Sequence, residues 1–222
     1  MKKRTNKLFG SIQELAGAIN ATLHNDFDFP MAVTGITGSG KSTFLIILGK
    51  ELGKLNGNEF DFNVNIAFTR TEMENNIKSL APRYSLVSGD EMINAMYKRD
   101  FQNKKQNNLI KLFNMCRYKN LCIGFAIPRF WSLDKEVRQN YIKLWINVEE
   151  RGIASLYVPD VKDIFTEDVW HRGENSKLLQ SGKIRKSLNY AGTIDFPDLE
   201  SEDKKSYTEI KESKSLHRVG KD

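Results

Sequence analysis

Nine residues, GITGSGKST from Gly35 to Thr43, carry the most specific chemistry in the chain. Gly35, Gly40, Lys41 and Ser42 fill every fixed position of the pattern G-x-x-x-x-G-K-[ST]. Gly35, Gly38 and Gly40 permit positive φ, so the loop's backbone N–H groups can turn inward as an anion nest. Ile36, Thr37, Ser39 and Thr43 complete that loop. A helix opening near Lys41 would add the positive end of its dipole. Lys41 is expected to meet the β- and γ-phosphates as a point charge, and Ser42 to offer its hydroxyl to Mg²⁺. The chemistry is phosphate binding, with ATP and Mg²⁺ as the expected ligands.

A second constellation lies at Asp90 and Glu91, which follow the apolar run in YSLVSGDE. Asp90 at a strand end is expected to hold the Mg²⁺ shell. Glu91 is expected to orient and polarise an attacking water. A phosphotransferase brings its own acceptor hydroxyl, whereas a hydrolase needs a base for water, so the tandem acids favour hydrolysis. The bland alternative is a helix N-terminus with stabilising acids in its first turn. The two readings are compatible.

These groups need elements to hold them. Ile12, Leu15, Ile19 and Leu23 fall at helical spacing, and Ser11 with Glu14 matches a capping box. MAVTG (31–35) reads as a strand running into the glycine loop. KSTFLIILGKEL (41–52) reads as a helix stopped by Gly53 and Gly57. FDFNVNIAFTR (60–70) alternates and reads as a strand. Residues 71–80 read as a polar helix or turn with Thr71 as its cap. Residues 84–91 read as a strand, MINAMYKRDF as a helix, QNKKQNN (102–108) as a break and 109–118 as a helix. LCIGFAIP (121–128) reads as a buried strand stopped by Pro128. Residues 132–148 begin as a helical turn and then extend. Arg151-Gly152 turns a hairpin into a strand at 151–159, and 183–199 adds a strand or an ordered arm.

Alternating strands and helices from 31 to 128 predict an α/β fold. The expected fold is a three-layer P-loop NTPase fold, with a mainly parallel sheet and helices on both faces. Residues 1–160 are expected to form the core, 161–200 an extension packed on it or on a neighbour, and 201–222 a charged, flexible tail.

Composition narrows the class. The 222 residues are 40% hydrophobic and 28% charged, enough for a sizeable core. No apolar run reaches the roughly 18–20 residues that span a bilayer, so an integral membrane protein is not expected. The basic N-terminus fails as a signal peptide at Gln13 and Glu14, and a cytoplasmic location is expected. Cys116 and Cys122 read as buried thiols, and His24, His171 and His217 have no metal-ligand spacing.

GITGSGKST, SGDE and RYKNLCIGFAIPRFWSLDKEVR together resemble the additional-strand catalytic-glutamate P-loop ATPases. Over about residues 30–160 the chain is most similar to the FtsK–HerA-like viral and plasmid branch. That branch includes the zonula-occludens-toxin-like assembly ATPases and viral DNA-packaging ATPases. The resemblance implies ATP hydrolysis by a homo-oligomeric ring acting on DNA, with a viral or plasmid assembly partner. Leu133, Asp134 and Arg138 fit the family's last turn. Such a ring completes each site with a neighbour's arginine, for which Arg117 and Arg138 are the favoured candidates. The family's polar sensor at the end of the last strand is missing from Phe125 to Pro128, and Arg129 is the nearest substitute.

Residues 98–119 hold seven Lys/Arg against the single acid Asp100, a local charge of +6 that equals the formal net charge of the chain. Phe101, Phe113 and Tyr118 interleave. This is the expected contact with a DNA backbone, against the alternative of a solvated helix face whose apolar stripe lies in the core. Two other readings compete with the motor: a small-molecule or nucleoside kinase using Arg117 and Arg129 in a lid, and a nucleotide-switched assembly adaptor without turnover.

Overall fold

The computed structural model describes residues 10–90, 106–161, 168–180 and 188–219. Helix α1 (Ile12–His24) starts where the Ser11 side chain accepts the Glu14 N–H, and it buries Ile12, Leu15, Ala16, Ile19 and Leu23. Strand β1 (Phe29–Thr34) is buried from Pro30 onward and leads into the glycine loop. Helix α2 (Lys41–Asn56) follows. It runs through Gly53 because Gly53 lets the returning chain approach: a Cβ there would lie 2.4 Å from the Asn58 carbonyl oxygen. The helix stops at Gly57, whose φ is 65°.

The stretch 60–70 departs from the expected strand. It forms a one-turn helix α3 (Phe62–Asn65), a two-residue strand β2 (Ile66–Ala67) and the start of helix α4 (Arg70–Asn75). The cause is local side-chain competition for the backbone. Asp61 accepts from the Asn63 N–H at 2.8 Å, and Asn65 accepts from the Asp61 N–H at 2.8 Å. The cap of α4 is Thr69 rather than Thr71, in a full capping box with Glu72. A π-helical turn, Asn76–Leu80, extends it.

Strand β3 (Leu86–Gly89) delivers Asp90. Helix α5 (Gln106–Lys119) leads to β4 (Cys122–Ile127). A 3₁₀ turn at Phe130–Ser132 precedes α6 (Lys135–Asn140), which Asp134 caps by accepting the Glu136 and Val137 N–H groups. Strands β5 (Leu144–Glu150) and β6 (Ile153–Tyr157) form the expected hairpin, with Gly152 at φ 88°. Helix α7 (Arg172–Gln180), strand β7 (Tyr190–Asp195) and helix α8 (Ser201–Val219) complete the described chain. The expected flexible tail is therefore helical over 201–219.

The seven strands order as β2-β3-β4-β1-β5-β6-β7. The first five are mutually parallel, and β6 runs against both β5 and β7. The fold is thus α/β with a mostly parallel mixed sheet. Successive residues of β4 alternate faces, as a pleated strand must: Cys122 and Ala126 join one apolar cluster, while Ile123, Phe125 and Ile127 join the other. The first cluster holds α1, α2 and the apolar contacts of α8. The second holds Met73, Ile77, Phe113, Cys116, Phe130, Val137 and Trp170. Helices therefore cover both faces, and the sheet is the middle of three layers. Among the described residues, no helix is long and apolar enough to cross a membrane.

Candidate functional site

Parallel strands place their C-terminal ends at one edge, where open α/β sheets present ligand crevices. Here β1, β3, β4 and β5 share a direction, and β7 rejoins it after the antiparallel β6. Five chain exits thus converge: the glycine loop from Thr37 onward after β1, Asp90 after β3, Pro128 after β4, Arg151 after β5 and Phe196 after β7. They border a cavity of about 660 Å³ that also takes in Tyr207 and Lys211 of α8.

The glycine loop has the expected backbone. Gly35, Gly38 and Gly40 have φ of 151°, 81° and 103°. Gly35 is fixed by contact as well as by φ, since a Cβ would lie 2.6 Å from both Ser39 Oγ and the Val148 carbonyl oxygen. Gly40 is the N-cap of α2, and the Phe44 N–H makes the first helical bond to its carbonyl at 2.9 Å. The first-turn N–H groups of Lys41, Ser42 and Thr43 thus lie at the positive end of a 16-residue helix. Lys41 Nζ donates to the Gly35 and Ile36 carbonyl oxygens at 3.0 and 2.9 Å, lying back across the loop. Thr37, Gly38, Gly40, Lys41, Ser42 and Thr43 face the cavity, whereas Ile36 is exposed and Ser39 is buried behind the loop.

Asp90 comes to the loop from the far side of β4. Ser42 Oγ lies 3.0 Å from each Asp90 carboxylate oxygen. Asp90 is 4% exposed and also accepts a hydrogen bond from the Tyr207 hydroxyl. A serine that donates its proton to a carboxylate keeps its lone pairs for a cation, and the carboxylate keeps acceptor sites for metal-bound water. The pair therefore fits a hard divalent cation. Glu91 lies outside the described residues.

The two favoured arginines separate. Arg138 sits inside its own chain at 4% exposure. Its Nη1 donates to the Leu133 carbonyl at 2.5 Å, and its guanidinium lies 4.9 Å from the Trp131 ring centre. Burial, then the nearby Arg172, hold its pKa below the usual guanidinium value. Its neighbours Phe130 and Trp145 stack at 4.3 Å, and Trp170 donates to its carbonyl at 2.8 Å. The sequence pattern at 133–138 reflects this aromatic nest, and the Arg138 side chain is packed within its own chain. Arg117 is exposed near the end of α5. It precedes β4, and so lies about 20 Å, one six-residue strand, from the cavity edge of its own chain. Arg129 is exposed beyond Pro128, and β4 brings only Ala126 and Pro128 to the cavity.

The basic segment is divided. Residues 98–105 lie outside the described residues. Of the remainder, Phe113 is core, Lys119 Nζ donates to the Ala81 carbonyl at 3.1 Å, and Tyr118 is 86% exposed beside Arg117.

Arg151, Phe196, Asp198, Lys204 and Tyr207 line the cavity, though the sequence pattern did not assign them to the site. Arg151 Nε donates to the Gly38 carbonyl at 3.3 Å, linking the β5–β6 hairpin to the loop. Phe196 packs its ring edge against Phe44 at 5.2 Å, beneath Gly40. Lys204 pairs with Asp198 at 2.7 Å, and that lysine, with the Leu199 N–H, holds the Asp198 pKa low. Tyr207 reaches Asp90. The hairpin at Arg151 was readable, but its position required knowing that β5 lies beside β1.

No protein-family model matches this chain, and no curated protein matches it significantly.

Proposed function

We propose that this chain binds ATP with Mg²⁺ at Gly35–Thr43 and Asp90 and hydrolyses it. It would do so as a P-loop ATPase of the additional-strand catalytic-glutamate class, in an oligomer acting on DNA. The observation that carries the reading is the 3.0 Å approach of Ser42 Oγ to Asp90 at the mouth of a positive-φ glycine loop. The strand order supports it: β4 lies between the loop strand β1 and the carboxylate strand β3, an added strand of the kind that names the class.

The residues divide the work. Loop N–H groups and the α2 N-terminus bind the phosphate tail. Lys41 exchanges its two loop carbonyls for phosphate oxygens. Ser42 and Asp90 would hold Mg²⁺, which when bound neutralises phosphate charge. Glu91, next to Asp90 in sequence, is the proposed water-orienting base. Arg117, exposed and remote from its own cavity, is the remaining favoured candidate to act across a subunit boundary. Within the described part of the proposed DNA contact over 98–119, Arg117 and Tyr118 are exposed side chains available to it. A viral or plasmid assembly role and a cytoplasmic location belong to the same proposal.

Equilibrium titration with ATP tests the site. Wild-type protein is expected to bind ATP more tightly with Mg²⁺ than without. Lys41→Ala is expected to lose about 10- to 100-fold in affinity, the worth of a charged hydrogen bond. Asp90→Asn is expected to lose the gain from Mg²⁺ and keep metal-free affinity. A wild-type chain with no ATP affinity would contradict the reading. A second reading, a nucleotide-switched adaptor, is favoured by the apolar end of β4 and would show binding without turnover.

A further inference from the structure

We infer that helix α8 is a working part of the nucleotide site of its own chain, with Tyr207 as the positioning residue for Asp90 and Lys204 and Lys211 as cations of the cavity. The inference rests on the nucleotide reading above.

The geometry of α8 is that of a docked element. Over 201–214 its less exposed positions are Asp203, Ser206, Tyr207, Ile210, Lys211 and Lys214, which is one helical face. Tyr207 and Ile210 pack on the core cluster shared by α1 and α2. Asp203 pairs with Lys50 of α2 at 2.5 Å. Lys214 lies 3.8 Å from Glu72 of α4 and 5.5 Å from the Phe68 ring centre. The helix therefore spans from α2 to the segment after β2, and its course takes it past Asp90.

At that crossing α8 supplies what β4 lacks. The β4 end offers Ala126 and Pro128 to the cavity, while Lys204, Tyr207 and Lys211 come from α8. Tyr207 and Ser42 both donate to Asp90. A carboxylate has about four lone-pair sites, so two hydroxyl donors fix its plane and leave acceptor capacity for a metal's water shell. Hydrogen-bond partners of this kind are worth about 10- to 100-fold in metal affinity. Lys204 and Lys211 join Lys41 and Arg151 around the cavity, against Asp90 and Asp198. Two of the four cations thus depend on the helix being docked. By linkage, a ligand that gains affinity from the docked helix stabilises the docking equally.

The test uses the full chain, with ATP plus Mg²⁺ and ATP plus a chelator as probes. Tyr207→Phe is expected to shrink the Mg²⁺-dependent gain in ATP affinity about tenfold while metal-free affinity stays put. A purely structural tyrosine would lower stability and leave that gain alone. In wild-type protein, hydrogen exchange at α8 amides is expected to slow when ATP and Mg²⁺ are added. An unchanged or larger gain in Tyr207→Phe overturns the inference and leaves the nucleotide reading standing. So does α8 exchange that ignores ATP, which needs no variant. A wild-type chain without ATP affinity overturns both.

Discussion

Gly35 shows how a single residue sets the loop. Its φ is 151°, and the space a Cβ would need is taken by Ser39 Oγ and the Val148 carbonyl oxygen, both at 2.6 Å. Gly38 has a comparable backbone demand at φ 81°, but nothing lies within 4 Å of its would-be Cβ. Gly38→Ala should thus incur only the left-handed backbone cost of about 1–2 kcal/mol. Gly35→Ala should add an overpacking cost of about 1–3 kcal/mol, because the obstacle is a neighbouring strand's backbone. Urea unfolding of the two variants checks this, and equal losses would contradict the packing of the loop on β5. Arg138 makes the converse point. The family resemblance suggested an outward task for it, and in this chain aromatic rings and the Leu133 carbonyl surround its guanidinium, with the residue 4% exposed.

At the scale of elements, legibility followed the strength of local pattern. Helix α1 declares itself by four apolar residues at helical spacing and a cap. Helix α2 declares itself by the loop before it. Helix α8 does not, because over the described side chains, 201–214, its inward face has Tyr207 and Ile210 as apolar anchors beside Asp203, Ser206 and two lysines. Its docking is polar and long-range, through Lys50, Glu72 and Asp90, and no window of sequence holds those partners. The same limit hid Arg151 and Phe196, which reach the cavity only through the strand order. The stretch 60–70 misled for the opposite reason: its aromatic alternation is real, but Asp61, Asn65 and Thr69 capture backbone groups that a strand would use.

The middle and edge elements also carry a pH signature. Cys116 on α5 and Cys122 on β4 are fully buried, and burial, with the nearby Asp28 charge adding to it, pushes both thiols far above their ordinary pKa. A raised thiol pKa means the folded chain keeps protons that the unfolded chain loses. The resulting stability is fully present below the unfolded value of about 8.5 and falls as pH rises beyond it, by about 1.4 kcal/mol per thiol per pH unit. Urea unfolding at about pH 7.5 and 9.5 should show this drop, and Cys122→Ala should reduce it by about half. A drop of undiminished size in that variant would place the titration elsewhere.

Over the whole molecule, the sheet's C-terminal edge gathers a glycine loop, a carboxylate, a hairpin arginine and a C-terminal helix around one cavity. The opposite edge carries Arg117 and the exposed Tyr118 at the end of the basic run. A ligand reaction at one edge and a polyanion at the other would have to communicate along β4 or between subunits. The measurement that tests this most directly is ATP turnover by the purified chain, with and without DNA and across salt concentrations, beside Glu91→Gln. The account predicts Mg²⁺-dependent turnover that DNA stimulates, that rising salt returns to the DNA-free level, and that Glu91→Gln abolishes while ATP still binds. Turnover indifferent to DNA and to Glu91→Gln, or none at all with ATP bound, would contradict the account of a DNA-linked ATPase.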